Sequence, residues 1–243
     1  IGIPFYFAQK VKTIPCGGIS IDIADSSDYH FVTKGYLKSL VAGTGQRYLG
    51  VPLDELAVNE IEGKLSAVKQ LREAEVFYTI DGFIHVYVNQ RDPVMRVIAS
   101  GGDYFVDNEG VVFPKRGLYT PRLHVVEGNV RVTKKMLDGV SVLDTCFRKS
   151  SLRDAWYLVN YLRGDRFWSA QVDQIFVDDD DEIDLVPRMG KNIIHLGTIE
   201  NMEGKLRNLE AFYKQVLPET GWNRYSLINL EYKDQIVCKK RPE

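Results

Sequence analysis

Hydrophobic and polar residues alternate along Gly18–Asp25, where isoleucines occupy every second position from Ile19 to Ile23. A period of two predicts a strand with one buried face. Thr33 then has the position of a helix N-cap, because apolar residues recur after it at helical spacing until Gly43. A second helix is predicted from Asn59 and Glu62, which have the spacing of a capping box.

A β-hairpin is the clearest local pattern. The stretches AEVFYTI and FIHVYV flank Asp81 and Gly82, which predicts a two-residue turn with positive φ angles. Residues 18–90 therefore predict the order strand–helix–helix–strand–strand. Such a unit would form a small sheet with two helices on one face.

The pattern changes after Pro93, where several short apolar strands follow one another. Ser151 and Asp154 have capping-box spacing and begin an amphipathic helix. A hairpin with an acidic tip and another helix come next, and two strands close the chain. We predict an α+β protein: a strand–helix–helix–strand–strand domain at residues 14–96, and a mostly antiparallel β domain with two helices at residues 97–243.

Charge and length exclude some classes of protein. The 243 residues have a formal net charge of -2, so no bulk positive field favours nucleic acid. No charge-free stretch is longer than the nine residues of Ile1–Gln9, whereas a membrane-spanning helix needs about 20 apolar residues. The apolar opening IGIPFYFA could be the remainder of a membrane anchor or a short packed strand.

Chemistry-bearing residues do not assemble into a recognisable reactive site. The acidic run Asp178–Glu182 with Asp184 offers oxygen ligands for calcium, but it lacks the alternation and the glycine of a calcium loop. A solvated hairpin tip is its simpler interpretation. The four histidines have no second histidine or cysteine at ligand spacing, and the three cysteines include no C-x-x-C pair. We therefore predict no catalytic, cofactor-binding or metal-binding residues, and expect the protein not to be an enzyme.

The closing strands are candidates for partner binding, because a free sheet edge can accept a strand from another protein. Within Tyr225–Tyr232, the strand period places Ile228, Leu230 and Tyr232 on one face. The alternative is that these are ordinary core-facing positions.

The residues assembled so far resemble the FtsQ/DivIB cell-division family, in the form found in Bacteroidetes-like bacteria. The stretch VNEIEGKLSAVKQLREAEVFYTIDGFIHVYVNQRDPVMRV is similar to the end of the family's POTRA domain, with Gln90, Arg91 and Pro93 in place. The stretch YFVDNEGVVFP resembles the start of its β domain, and GWNRYSLINLEYKDQIVCKK resembles its C-terminal hairpin. Together these stretches extend the likeness over about residues 14–241.

This resemblance implies a non-enzymatic divisome scaffold. It implies one inner-membrane helix absent from this chain, with residues 1–13 as the membrane-proximal end of the anchor and the rest in the periplasm. The β domain would bind the FtsB/FtsL coiled-coil pair and help to control septal peptidoglycan synthesis. The POTRA domain would contact a recruitment partner of the FtsK type. No cofactor and no nucleic acid are expected.

In the family, the partner adds a strand at the C-terminal edge, where a DLRY stretch corresponds to NLEY here. Tyr232 carries over, whereas Glu231 reverses the charge of the family's arginine. The resemblance thus implies a partner-binding set, which consists of Asn229, Leu230, Glu231, Tyr232, Ile236 and Val237.

Two other functions stay open. One is a metal-dependent hydrolase that uses the run Asp178–Asp184. The other is a POTRA-type assembly or transport factor that binds client strands.

Overall fold

The computed structural model describes residues 14–24, 29–42, 48–233 and 235–242. The predicted anchor segment, residues 1–13, lies outside the described residues. The chain divides into two compact units. The N-terminal unit extends to Asp92 and includes Arg116–Pro121, and the C-terminal unit comprises Pro93–Lys115 and the chain from Arg122 onward.

The N-terminal unit has the predicted order of strand, helix, helix, strand, strand. Its elements are β1 (Gly18–Ile23), α1 (Lys34–Ala42), α2 (Val58–Ser66), β2 (Leu71–Tyr78) and β3 (Phe83–Gln90). The sheet order is β1-β3-β2, with β1 parallel and β2 antiparallel to β3. One apolar cluster, which includes side chains from both helices and all three strands, forms the core of this unit.

Two local predictions in this unit are wrong in detail. The connection between β2 and β3 has four residues rather than two, and of its residues only Gly82 has a positive φ, at 85°. The carboxylate of Asp81 accepts hydrogen bonds from the Phe83 N–H and the Thr79 hydroxyl. These hydrogen bonds stabilise the longer turn, in which Asp81 does not need a positive φ. Helix α2 begins at Val58, so Asn59 lies inside the helix and caps nothing. The N-cap at Thr33 is confirmed, since its hydroxyl accepts a hydrogen bond from the Tyr36 N–H at 3.1 Å.

The C-terminal unit is a nine-stranded sheet flanked by helices. Its strands are β4 (Pro93–Ala99), β5 (Gly102–Asp107), β6 (Val112–Pro114), β7 (His124–Gly128), β8 (Val172–Val177), β9 (Ile183–Pro187), β10 (Ile193–Gly197), β11 (Tyr225–Asn229) and β12 (Val237–Lys240). Its helices are α3 (Lys134–Leu137), α4 (Ser151–Gly164), α5 (Arg166–Gln171), α6 (Met202–Gln215) and α7 (Leu217–Thr220). The strand order is β12-β11-β10-β9-β8-β7-β4-β5-β6.

Most neighbouring strands of this sheet are antiparallel, as predicted, whereas the pairs β4–β7, β7–β8 and β10–β11 are parallel. Two details of this unit differ from the prediction. Strand β4 belongs wholly to this unit because it pairs with β5 and β7, so the division falls after Asp92 rather than after residue 96. Ser150, not Ser151, is the N-cap residue of α4, and its side chain makes no capping hydrogen bond.

Candidate functional site

The C-terminal hairpin forms one edge of the nine-stranded sheet. Strand β12 pairs with β11 in antiparallel register, with Val237 opposite Asn229. Within the described part of the chain, no strand pairs with the outer side of β12. The opposite edge strand, β6, has three residues and ends at Pro114, which has no N–H to donate. The β12 edge is therefore the better template for an added strand.

The six predicted partner-binding residues do not share one surface. Asn229 ends β11, and its side-chain oxygen accepts a hydrogen bond from the Glu231 N–H at 2.8 Å. Leu230 is only 3% exposed and belongs to the core. Tyr232 is 55% exposed, because β11 ends at Asn229 and the turn breaks the strand alternation.

The remaining two predicted residues lie on the return strand. Ile236 is half-buried against the core, whereas Val237 at the start of β12 is 46% exposed. Val237 and Tyr232 are therefore the apolar members of the predicted set that are exposed. Leu230 and Ile236 would support the hairpin from the inside.

A cavity of about 460 Å³ opens beside Tyr232. It lies between the end of β11 and the first turns of α6, and Leu230, Asn201 and Asn208 contribute to its wall. Its lining is largely polar, and Lys205 and Lys233 give it cationic groups. A side chain of a docked partner could enter it.

Positive charge follows the β12 edge. Lys239 and Lys240 are exposed on the strand, and Lys233 is exposed on the preceding turn. Such lysines discourage pairing between copies of one protein, because like charges would meet. The same charges favour a partner whose added strand is flanked by acidic residues.

The histidine on β10 lies among three carboxylates. His195 Nδ1 is 2.8 Å from Asp184 Oδ1 on β9. Its Nε2 lies 3.4 Å from Glu182 Oε2 and 3.5 Å from Glu231 Oε2. Sequence reasoning missed this group because its members come from three segments far apart in the chain. Strand pairing brings them together, and no local spacing shows it.

The acidic run forms the β8–β9 turn, as its pattern predicts. The Asp178 carboxylate accepts hydrogen bonds from the N–H groups of Asp180 and Glu182, each at 2.9 Å. This residue therefore shapes the turn. The run as a whole does not converge on one point, and only Glu182 and Asp184 reach His195.

A second cavity, of about 270 Å³, lies at the start of β7 and β8. Arg122, Arg163 and Arg188 line it, with the buried His124 among them. The Nε2 atom of His124 has no hydrogen-bond partner among the described residues. Burial lowers the pKa of His124, and the charge of Arg163 acts in the same direction. The histidine is thus held neutral in a cationic setting.

Comparison with known families now gives the context of these features. A POTRA-like domain model matches residues 14–89, which corresponds to the N-terminal unit. A model described as FtsQ/DivIB, C-terminal related, matches residues 92–239, which is more than half of the chain. The chain belongs to the FtsQ/DivIB family. A comparison with curated proteins finds no match.

FtsQ/DivIB proteins are membrane-anchored division proteins, and the family is generally non-enzymatic. The pairing of a POTRA-like domain with the C-terminal related domain is that of a cell-division scaffold family. Among the described residues, no helix combines the length and the apolarity needed to cross a membrane.

Proposed function

We propose that this FtsQ/DivIB protein is a non-enzymatic divisome scaffold that binds FtsB/FtsL-type coiled-coil proteins by strand addition to β12. The observation that carries the proposal is the edge of β12, which no other described strand covers, together with the exposed Tyr232 on the turn before it. Backbone hydrogen bonds along the edge would supply affinity, and pockets for side chains would supply specificity. The described units would lie in the periplasm, where the complex would help to control septal peptidoglycan synthesis.

Tyr232 would be the side-chain anchor of this interface. Exposed tyrosines at interface centres often contribute about 2 kcal/mol or more to binding, which is roughly a 30-fold change in Kd. The cavity beside Tyr232 offers space for a side chain of the partner next to this anchor. The cationic edge at Lys239 and Lys240 would orient an acidic stretch of the partner.

The test is the affinity of a soluble FtsB/FtsL-type coiled-coil pair for the wild-type chain and for Tyr232→Ala. We expect Tyr232→Ala to weaken binding by roughly 30-fold without change in the circular dichroism spectrum. The matched control is Tyr157→Ala on α4, a tyrosine that is also exposed in the same unit. Equal affinities for wild type and Tyr232→Ala, or equal losses in both variants, would rule out this site.

We also propose that the POTRA-like unit contacts a recruitment partner of the FtsK type. The supporting observation is the tip of the β2–β3 hairpin, where Phe77, Ile80 and Phe83 are exposed, Ile80 by 77%. Exposed apolar groups close together often mark protein contacts. Ile80→Ser should weaken such a contact, whereas Tyr36→Ser on α1 should not; equal binding by both variants would contradict the proposal.

A further inference from the structure

The imidazole of His195 is held in one tautomer by its neighbour. Asp184 Oδ1, 2.8 Å from His195 Nδ1, can only accept a hydrogen bond when ionised, so Nδ1 carries the proton. In the neutral ring, the lone pair of Nε2 is then directed away from Asp184. Histidines that ligate metals are commonly oriented by a carboxylate on the other ring nitrogen in this way.

The other ring nitrogen is surrounded by carboxylate oxygens at metal-ligand spacing. The distances of 3.4 Å to Glu182 Oε2 and 3.5 Å to Glu231 Oε2 exceed the about 2.7–3.2 Å of a good N–H···O hydrogen bond. Two ligand atoms that share a tetrahedral Zn²⁺, with bonds of about 2.0–2.2 Å, lie about 3.3–3.6 Å apart. We propose that Glu182, His195 and Glu231 form a Zn²⁺ site.

All three donor atoms lie within 4.8 Å of one another. Binding of one ion would require the two glutamate side chains to rotate towards it. The three ligands would leave a fourth position for water. An imidazole in the set favours zinc over magnesium and calcium, which prefer all-oxygen ligands.

The local charge favours a bound cation. Three carboxylates surround the imidazole, and the Lys205 ammonium is close enough to interact electrostatically with Glu231 and Glu182. This ammonium donates hydrogen bonds to the carbonyl oxygens of Leu196 and Thr198, both at 2.8 Å. Because Lys205 offsets only part of the negative charge, a divalent ion would relieve the repulsion that remains among the carboxylates.

A glycine allows Glu231 to reach the site. A Cβ atom at Gly197 would lie 2.8 Å from the Cγ of Glu231, which is closer than two such atoms can approach. Gly197 has a positive φ of 67° at the end of β10. Glu231 therefore passes over the end of β10 through space that a Cβ at position 197 would occupy.

The ion would crosslink three segments through Glu182 just before β9, His195 in the middle of β10, and Glu231, the second residue after β11. The β10–β11 ladder is short, since it joins only Ile193–His195 with Leu227–Asn229. A metal crosslink at Glu231 would therefore stabilise the C-terminal hairpin. A more stable hairpin would also bind the partner more tightly. This consequence, unlike the site itself, rests on the proposed function.

The site is tested by Zn²⁺ titration of the tag-free chain, with calorimetry and with Co²⁺ absorption as a spectroscopic probe. We expect one ion per chain and a higher melting temperature with Zn²⁺ but not with Mg²⁺ or Ca²⁺. His195→Gln should abolish the Co²⁺ spectrum, and Asp184→Asn should weaken Zn²⁺ binding by about 10–100-fold through loss of the orienting carboxylate. Glu182→Gln gives a second ligand variant if His195→Gln does not fold.

The matched control is Asp179→Asn, which removes the same charge from an exposed residue of the same turn. It should leave Zn²⁺ affinity within about twofold of wild type, given that surface charges are screened. No measurable Zn²⁺ binding, wild-type binding by the ligand variants, or equal binding of Ca²⁺ would overturn the proposal. Zn²⁺ binding is measured without any partner, so it tests the metal site alone. Partner affinity measured with Zn²⁺ and with a chelator then tests separately whether the ion affects the proposed function.

Discussion

Leu230 was predicted to bind a partner, but its burial indicates that it stabilises the core, and a mutation there distinguishes the two roles. Its side chain is 3% exposed and packs in the core of the C-terminal unit, while its backbone N–H donates to the His195 carbonyl at 2.9 Å. Alanine retains that backbone hydrogen bond and removes the buried part of the side chain. Leu→Ala changes at such positions cost about 3–5 kcal/mol, from lost burial and from the cavity that remains.

This loss should be visible in unfolding experiments that follow tryptophan fluorescence. All three tryptophans, Trp156, Trp168 and Trp222, belong to the C-terminal unit, so the signal reports on that unit alone. A loss of about 3 kcal/mol corresponds to a fall in Tm of about 6–12 °C for a unit of this size. The urea midpoint of Leu230→Ala should fall accordingly.

Tyr232→Ala is the matched comparison, two residues further along the chain. Its side chain is exposed and outside the core, so its free energy of unfolding should stay within about 0.5 kcal/mol of wild type. If Leu230→Ala unfolds at the wild-type midpoint, the burial argument is wrong. A variant that loses partner affinity with unchanged stability would instead place Leu230 in the interface.

Three further predictions concern the C-terminal unit. A Cβ at Gly128, where φ is 99°, would lie 2.1 Å from a carbonyl oxygen of β8, whereas a Cβ at Gly139, where φ is 106°, would meet no atom within 4 Å. Gly128→Ala should therefore lower the free energy of unfolding in urea by about 1–3 kcal/mol more than Gly139→Ala does. Burial, and to a smaller extent the charge of Arg163, lower the pKa of His124, so the unfolded chain takes up a proton at a higher pH than the folded chain. The free energy of unfolding should therefore be highest above about pH 6.5 and should fall below it, by up to about 1.4 kcal/mol per pH unit. His124→Gln should show a shallower dependence on pH. Burial raises the pKa of Tyr213 to about 12, so stability should fall as the pH rises above 10, and Tyr213→Phe, which removes a buried hydroxyl with no partner among the described residues, should be as stable as wild type or more so at pH 7.

Local patterns predicted the elements better than their ends. The order of elements in the N-terminal unit followed from periodicity, since each strand and helix there buries one face against a single core. The predicted capping residues Asn59 and Ser151 were wrong because a pair with capping-box spacing fits equally well one or two positions after the true N-cap. Side-chain spacing does not contain the backbone geometry that decides between these positions.

The prediction that Ile228, Leu230 and Tyr232 share one face of a strand was wrong for a related reason. The alternation through Ile228 and Leu230 is real, and both are buried, but it does not continue to Tyr232. The strand ends at Asn229, whose side chain accepts a hydrogen bond from the Glu231 N–H and turns the chain. A polar residue that stops a strand by such a bond looks in sequence like one more solvent-facing position.

The charge at position 231 has a counterpart within the tertiary structure. An arginine is expected there from the resemblance, and its replacement by glutamate would remove any ion pair with an acidic partner. In the structure, Glu231 lies over the end of β10 and reaches His195, so an arginine would place a cation beside the imidazole and Lys205. The inward contact of Glu231 with His195 uses the space left by the missing Cβ at Gly197. Glu231→Arg should therefore destabilise the hairpin more than Glu231→Gln in urea unfolding, and equal stability of the two variants would show that the inward contact of Glu231 has no structural role.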